Sequence, residues 1–154
     1  MSQALSLSLL LFTLCVTVSC INDNIPGANM VVTITGDSPG DNTDTAINWR
    51  YDYSDGTFSA WSSNLNNAGL DDFELGEMNV FAQENQPVRD TSKTLDGVQL
   101  RLDPAGANNR WGVTKFYVYT NPINPPFCWG TSGSAISVTR TTNPVITSNG
   151  LCPP

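Results

Sequence analysis

Apolar and polar residues alternate along much of this chain, and no window repeats its apolar residues at helical spacing. The densest run, residues 111–119, consists almost entirely of aromatic and β-branched side chains, which favour strands. We predict that it forms a central strand, paired with the alternating segment Val-Gln-Leu-Arg-Leu at residues 98–102. Phe116 and Val118 should share the face that points into a core. The residues predicted on the opposite face are Val113, Lys115, Tyr117 and Tyr119.

Proline and glycine punctuate the rest of the chain at intervals of roughly eight to twelve residues, a spacing typical of antiparallel β-sandwiches. The dipeptide Asp55-Gly56 predicts a hairpin turn between two of the strands. We therefore expect an all-β fold. The predicted strands are residues 30–35, 45–53, 58–62, one or two strands within 72–82, 98–102, 111–119, 127–129, 135–140 and 145–147.

The second predicted strand carries an aromatic stripe, because Trp49, Tyr51 and Tyr53 are two residues apart and share one face. We interpret this stripe as the core face of the strand. A sugar-stacking platform is the alternative. Trp61 and Trp129 are better candidates for exposed ligand contacts, because small residues flank each of them.

The first twenty residues are predicted to be a secretory signal peptide, because a short apolar run, Leu9 to Val16, is followed by small residues. This run is too short to span a bilayer, and no later segment is apolar enough to do so. A lipoprotein signal that acylates Cys20 is the alternative. We expect a secreted, extracellular protein without a transmembrane segment. The expected divisions are a signal peptide at 1–20, an N-terminal segment at 21–29, one β-sandwich at 30–129 and a C-terminal extension at 130–154.

The cysteines support export. If cleavage follows Cys20, two of the four cysteines remain, and an even pair in an exported chain favours one disulfide, Cys128–Cys152. Such a bond would stabilise the fold by about 3 kcal/mol in the chain-entropy model.

The formal net charge of −7 argues against nucleic acid as a partner, because nucleic-acid binding depends on basic side chains. Charge alone would not attract the chain to an anionic membrane either. Acidity of this kind suits solubility or the binding of divalent cations. The chain contains no histidine, which removes the commonest general base and most zinc sites. We therefore expect a protein that is not an enzyme.

Four carboxylates, Asp71, Asp72, Glu74 and Glu77, lie close together in the sequence. Paired carboxylates can hydrolyse glycosides, but adjacent residues of a strand point to opposite faces. Solvated charges at the edge of a loop are the interpretation that we favour for these residues.

Acidic loops can bind calcium, which takes several oxygen ligands from carboxylates and carbonyls. Asp37, Asp41 and Asp44 belong to one predicted loop, whereas Asp71 and Asp72 belong to another. If the two loops meet at one end of the sandwich, they would form a calcium site. Ordinary turn residues are the alternative, since aspartate is common in turns.

An ordered set of segments resembles PLAT domains, which are also called lipoxygenase homology or LH2 domains. The strand and turn Val-Thr-Ile-Thr-Gly-Asp at 32–37 and the entry Asn-Thr-Asp-Thr-Ala-Ile at 42–47 are similar to the opening of that family. The segment Gly-Leu-Asp-Asp-Phe-Glu-Leu at 69–75 resembles its G-x-x-D-x-F motif. The remaining matches are Val98 to Asp103, Trp111 to Val118 and Phe127-Cys128-Trp129.

This resemblance implies an antiparallel eight-stranded β-sandwich of PLAT/LH2 type over residues 30–129, with a C-terminal extension tied back by the disulfide. It also implies contact with a lipid surface or an extracellular protein, sometimes with calcium as cofactor. Asp37, Asp44 and Asp72 are the nearest candidates for metal ligands. The resemblance makes Trp111 a packing residue at the entrance of its strand.

Our leading hypothesis is therefore a secreted, non-catalytic PLAT-like module that contacts lipid surfaces or a protein partner with the assistance of calcium. One alternative is an acidic structural protein of an extracellular matrix or biomineral. The other is a small carbohydrate-binding module.

Overall fold

The computed structural model describes residues 29–67, 70–83, 86–105, 110–120 and 126–152. The predicted signal peptide lies outside these residues. The described residues form eight β-strands and no helix, and therefore no helix that could cross a membrane. The strands are β1 Asn29–Thr35, β2 Ile47–Tyr53, β3 Met78–Gln83, β4 Leu95–Leu102, β5 Arg110–Thr120, β6 Phe127–Gly130, β7 Ile136–Thr139 and β8 Val145–Ile146.

The strands form two antiparallel sheets, which confirms the predicted all-β fold. The first sheet has the order β3-β1-β5-β6, and β7 also pairs with β5. The second sheet has the order β2-β4-β8. The C-terminal strands β7 and β8 thus add one strand to each sheet.

The predicted pairing of residues 98–102 with residues 111–119 is wrong. β5 pairs with β1, β6 and β7, whereas β4 pairs with β2 and β8 in the opposite sheet. Both strands turn apolar side chains into one core, from its two sides. Alternation therefore revealed that both strands are half-buried, but burial does not specify which strand is the neighbour.

The face predicted for Val113 is also wrong, although Phe116 and Val118 do lie in the core. The register places Ile34 opposite Lys115 but Thr35 opposite Val113, so Thr114 is an extra residue in β5. Such a bulge reverses the face of every residue on one side of it. Val113 consequently joins the core, while Tyr117 and Tyr119 lie in the cluster on the outer face.

The aromatic stripe of β2 is buried, as predicted. Trp49, Tyr51 and Tyr53 are at most 4% exposed, and the rings of Trp49 and Phe116 lie 6.2 Å apart between the two sheets. Trp111 is fully buried, and its indole Nε1 donates a hydrogen bond of 3.1 Å to Thr35 Oγ1. Its predicted role in packing is confirmed.

The outer face of the five-stranded sheet is apolar as well. Val32, Tyr117 and Cys128 form a second buried cluster there, and Val80, directly opposite Val32 in the β1–β3 register, is 43% exposed. The predicted disulfide is confirmed, since Cys128 is bonded to Cys152 with a Cα–Cα distance of 5.1 Å. The bond ties the end of the described chain to β6.

The segment predicted as a strand at residues 58–62 runs beside β2 but forms only one isolated bridge, between Phe58 and Asp52. The N–H groups of Ser59 and Ser62 donate to the carbonyls of Tyr51 and Trp49 at 3.0 and 2.8 Å. The hydroxyl oxygens of the same serines accept hydrogen bonds from the N–H groups of Tyr51 and Trp49, each at 2.9 Å. Serine side chains thus replace backbone carbonyls, which explains why the segment is not a regular strand. The predicted Asp55-Gly56 turn is present, with Gly56 at φ 77°.

Candidate metal site at one end of the sandwich

Three acidic side chains meet where two loops adjoin at one end of the sandwich. Asp44, Asp71 and Glu74 each offer a carboxylate oxygen, and these oxygens lie within 4.8 Å of one another. Two ligands of one calcium ion, each about 2.3–2.6 Å from it, can be no more than about 5 Å apart. The three oxygens fit that limit, and the all-oxygen donor set suits a hard cation such as calcium.

The backbone of the first loop is bound to the second. The N–H group of Thr43 donates to the carbonyl of Phe73 at 3.3 Å, which brings Asp44 close to the acidic residues of the second loop. Phe73 is buried and stacks on Phe81 with ring centroids 5.4 Å apart. Its ring also meets the edge of Trp111 at 5.2 Å. Phe73, which lies between Asp71 and Glu74 in the sequence, therefore anchors the second loop in the core.

Phe73 is the only residue other than glycine with positive φ in the described part of the chain. Its φ of 68° is unfavourable for a bulky side chain and costs on the order of 1–2 kcal/mol. The Phe73 N–H group donates to Asn79 Oδ1 at 2.9 Å, and the buried ring offsets the cost. This conformation lets Asp72 point inward while Glu74 remains near Asp44 and Asp71.

Of the three predicted metal ligands, the structure places only Asp44 in the acidic group. Asp72 is buried, and its carboxylate accepts hydrogen bonds from the backbone N and the Nδ2 of Asn67 at 2.6 and 2.8 Å. It lines a cavity of about 110 Å³ together with Asp44 and Asp71, but its oxygens already order the loop. Asp37 is exposed and lies outside the group.

The two loops do meet, as the calcium hypothesis requires, but the residues that meet differ from those aligned by family resemblance. The group contains Asp71, which belongs to the second predicted acidic loop, and Glu74, but neither Asp37 nor Asp72. The sequence favours a solvated charge for Glu74, because adjacent residues of a strand point to opposite faces and only a loop could bring these carboxylates together. The left-handed turn at Phe73, which brings them together, has no sequence signal, since it is not a glycine.

Asp41, the third acidic residue of the first loop, has a structural role. It is 2% exposed, and its carboxylate accepts a hydrogen bond of 2.8 Å from Arg110 Nη2 and another of 3.3 Å from the Ser38 N–H group. Its backbone N–H and C=O groups bond to Ser38 and Gly112. Asp41 thus fastens the loop that bears Asp44 to the start of β5.

No basic side chain compensates the acidic group within the described ranges. The two salt bridges there join Lys93 to Asp55 and Arg110 to Asp41. Three neighbouring carboxylates repel one another, so a cation would be attracted to them.

Exposed leucines flank the acidic group. Leu70 is 68% exposed and lines the same cavity, and Leu75 is 45% exposed.

The predicted ligand contacts Trp61 and Trp129 lie elsewhere. Trp129 is half-buried and packs against the main core from β6. Trp61 is half-exposed and lies beside two arginines on the outer face of the three-stranded sheet, with guanidinium-to-ring distances of 4.4 Å for Arg50 and 4.1 Å for Arg101.

Solved structures with the same fold include lipoxygenases and a bacterial toxin. Coral 8R-lipoxygenase, which is activated by calcium through a C2-like domain, is similar with a TM-score of 0.53 and 18% identity over 72% of this chain and 16% of that chain. A LOX deletion variant in complex with arachidonate is similar with a TM-score of 0.53 and 16% identity, over 73% of this chain and 16% of that chain. Alpha toxin from Clostridium absonum is similar with a TM-score of 0.50 and 16% identity, over 83% of this chain and 34% of that chain.

No protein-family model matches the chain, and no curated protein sequence matches it. The chain spans only 16% of the lipoxygenases and 34% of the toxin, so the likeness concerns one part of each. At such low identity it establishes the fold alone, a β-sandwich like the C2-like domain of the coral enzyme.

Proposed function

We propose that this chain is a secreted, non-catalytic binding module of PLAT type that attaches to lipid surfaces when Asp44, Asp71 and Glu74 bind calcium. The observation that carries the proposal is the convergence of these three carboxylates within 4.8 Å, from two different loops. The calcium activation of coral 8R-lipoxygenase through a C2-like domain of the same fold supports it.

The proposed attachment combines charge and apolar contact. When bound, calcium would neutralise the three carboxylates and offer its remaining coordination positions to phosphate oxygens of lipid headgroups. Neutralisation removes the repulsion between an acidic loop and an anionic surface. Leu70 and Leu75, which flank the acidic group, would then enter the interface. Full burial of a leucine side chain contributes about 1.5–3 kcal/mol, which makes two leucines sufficient for reversible attachment.

Co-sedimentation with phosphatidylserine–phosphatidylcholine vesicles tests the proposal, in calcium and in EDTA. The chain should sediment with the vesicles in calcium and remain in solution in EDTA. Replacing Asp71→Asn together with Glu74→Gln should weaken calcium binding, measured by calorimetry, by about tenfold or more, because it removes two ligand charges. Asp37→Asn makes the same kind of charge change outside the acidic group and should change neither measurement.

A second pair of substitutions separates the two parts of the proposal. Leu70→Ser with Leu75→Ser should leave calcium binding unchanged and abolish co-sedimentation. Equal calcium affinity in the wild type and in the Asp71→Asn, Glu74→Gln variant would contradict the metal site. Undiminished sedimentation of the leucine variant would contradict the lipid contact.

A further inference from the structure

A second surface, on the outer face of the three-stranded sheet, alternates cationic and aromatic groups. The Cζ atom of Arg50 lies 3.8 Å from the ring centroid of Phe58 and 4.4 Å from that of Trp61. The Cζ atom of Arg101 lies 4.1 Å from the centroid of Trp61. We refer to these four residues as the arginine–tryptophan face.

Each guanidinium group donates a hydrogen bond to a side chain of the neighbouring strand, and this bond orients the group. Arg50 Nε donates to Gln99 Oε1 at 2.8 Å, and Arg101 Nε donates to Asn48 Oδ1 at 3.4 Å. These partners are also directly opposite in the β2–β4 register. No hydrogen bond or salt bridge within the described residues uses the terminal Nη nitrogens of either arginine. The two groups are therefore held in place while their Nη donors remain unused.

The electrostatics of this face favour an anion. Partial burial, and next the positive charge of Arg101, lower the pKa of Arg50, and Asp52 opposes them only as the smallest of the three influences. Like charges at close range destabilise each other unless an anion lies between them. Asp52 is an acidic neighbour of Arg50 and Asp103 of Arg101, but neither forms a salt bridge with its arginine within the described residues.

The arginine–tryptophan face adjoins a groove of about 440 Å³, a volume typical of small-molecule sites. Phe58 and Trp61 line its wall, and Val88, which is 76% exposed, lies at its rim. The polar lining includes Gln86, whose Oε1 accepts a hydrogen bond from Trp49 Nε1, and Lys93, whose ammonium group is paired with Asp55. The groove therefore offers aromatic and apolar faces against which the apolar face of a sugar ring can pack.

We propose that the arginine–tryptophan face and its groove bind a sulfated saccharide. Sulfate oxygens would accept hydrogen bonds from the Nη groups of Arg50 and Arg101, because guanidinium forks match a tetrahedral oxyanion with several acceptors. The sugar rings would lie along the groove beside Phe58.

The groove and the acidic loops lie towards different ends of β2. The groove lies at the Tyr53 end of β2, whereas Asp44 precedes the opposite end. A strand of seven residues spans about 20 Å, so the groove is remote from the acidic loops. Arg101 lies opposite Asn48, towards the end that Asp44 precedes, so the test is made in EDTA to keep calcium binding out of the measurement.

Calorimetric titration with a heparin-derived hexasaccharide, beside its desulfated counterpart, tests the proposal. The sulfated form should bind, and the desulfated form should bind about tenfold more weakly or not at all, because charge-assisted hydrogen bonds are lost. Arg50→Gln with Arg101→Gln should weaken binding of the sulfated form by about tenfold or more. Lys115→Gln, which removes one positive charge from the outer face of the other sheet, should change binding less than about twofold.

A conservative variant separates loss of binding from loss of folding. Arg50→Lys with Arg101→Lys keeps both charges but loses the guanidinium forks, and it should bind more weakly than the wild type and more strongly than the glutamine variant. Absence of hexasaccharide binding by the wild type would overturn the proposal. So would an equal loss in the Lys115→Gln variant. Binding to phosphatidylserine vesicles in EDTA that the same arginine substitutions abolish would overturn it in favour of a lipid headgroup.

Discussion

Gly112 lies directly against the side chain of Asp41. A β-carbon added at residue 112 would stand 2.2 Å from Asp41 Oδ1 and 2.7 Å from Asp41 Cβ. The Gly112 N–H group donates to the carbonyl of Asp41 at 2.9 Å. Gly36 is almost as restricted, because its β-carbon would meet Asp41 Oδ2 at 2.1 Å. The two glycines create the space in which Asp41 is buried, and Asp41 holds the loop that carries Asp44.

Gly112→Ala should therefore destabilise the protein. Overpacking in a rigid site costs about 1–3 kcal/mol, and urea denaturation should show a midpoint lowered accordingly. Gly133→Ala is a matched control, because its β-carbon would meet only Thr131 Oγ1 at 3.6 Å. Equal midpoints for the two variants would show that Asp41 can move away at little cost.

Deletion of Thr114 should be far more damaging than its substitution. Thr114→Ala removes a hydrogen bond of 3.1 Å to the carbonyl of Ile34 and should cost about 1 kcal/mol. Deletion removes the bulge, so Trp111 and Val113 would turn away from the core. Thermal unfolding followed by near-ultraviolet circular dichroism should show a cooperative transition for the alanine variant and none for the deletion. A cooperative transition of the deletion variant near that of the wild type would disprove the role of the bulge.

Loss of the disulfide should lower the free energy of unfolding by about 3 kcal/mol, because Cys128 and Cys152 are 24 residues apart. Urea denaturation with and without a reductant measures this difference. The Cys128→Ala, Cys152→Ala variant is the control, and its midpoint should be low and insensitive to the reductant. A wild-type midpoint unaffected by complete reduction would contradict the prediction.

Asp55 should contribute to stability in a way that depends on acid pH. Hydrogen bonds from Thr57, and next from Lys93, lower the pKa of Asp55 from 3.8 to about 2. Because the pKa is lower in the folded state, the stabilisation is present above pH 3.8 and disappears as the pH falls through about 2. Melting temperatures between pH 6 and pH 2 should therefore fall less steeply for Asp55→Asn than for the wild type.

The Thr57 hydroxyl provides the control for this prediction. It donates to Asp55 Oδ1 at 2.6 Å, so Thr57→Ala should reproduce part of the effect of Asp55→Asn. Parallel pH profiles for the wild type and Asp55→Asn would contradict the prediction, because they would mean that the pKa of Asp55 is the same in the folded and unfolded states.

The sequence allowed the strands to be predicted better than their neighbours. Alternation identified β1, β2, β4 and β5, and it identified the buried stripe that begins at Trp49, because burial leaves a pattern within each strand. Pairing depends on contacts between distant segments, so the separation of β4 from β5 had no local signal. The bulge at Thr114 also left none, because threonine is common in regular strands.

In the candidate metal site, too, the sequence indicates the loops but not the residues that converge. The calcium hypothesis requires two acidic loops to meet, and they do, but the ligands depend on the backbone turn at Phe73. A phenylalanine with positive φ is not predictable from residue type, because the core contact that compensates its strain lies in β3 and β5. Asp72 was selected by resemblance, and the structure instead shows it accepting hydrogen bonds from Asn67.

The irregular segment beside β2, residues 58–62, affects association between molecules. β2 is the outer strand of its sheet, and such strands commonly recruit strands from other chains into aggregates. Ser59 and Ser62 occupy the outward N–H and C=O groups of Tyr51 and Trp49. A foreign strand would find no free backbone partners at these positions. The irregular segment therefore protects this edge from aggregation more effectively than a regular strand, which would itself expose a new edge.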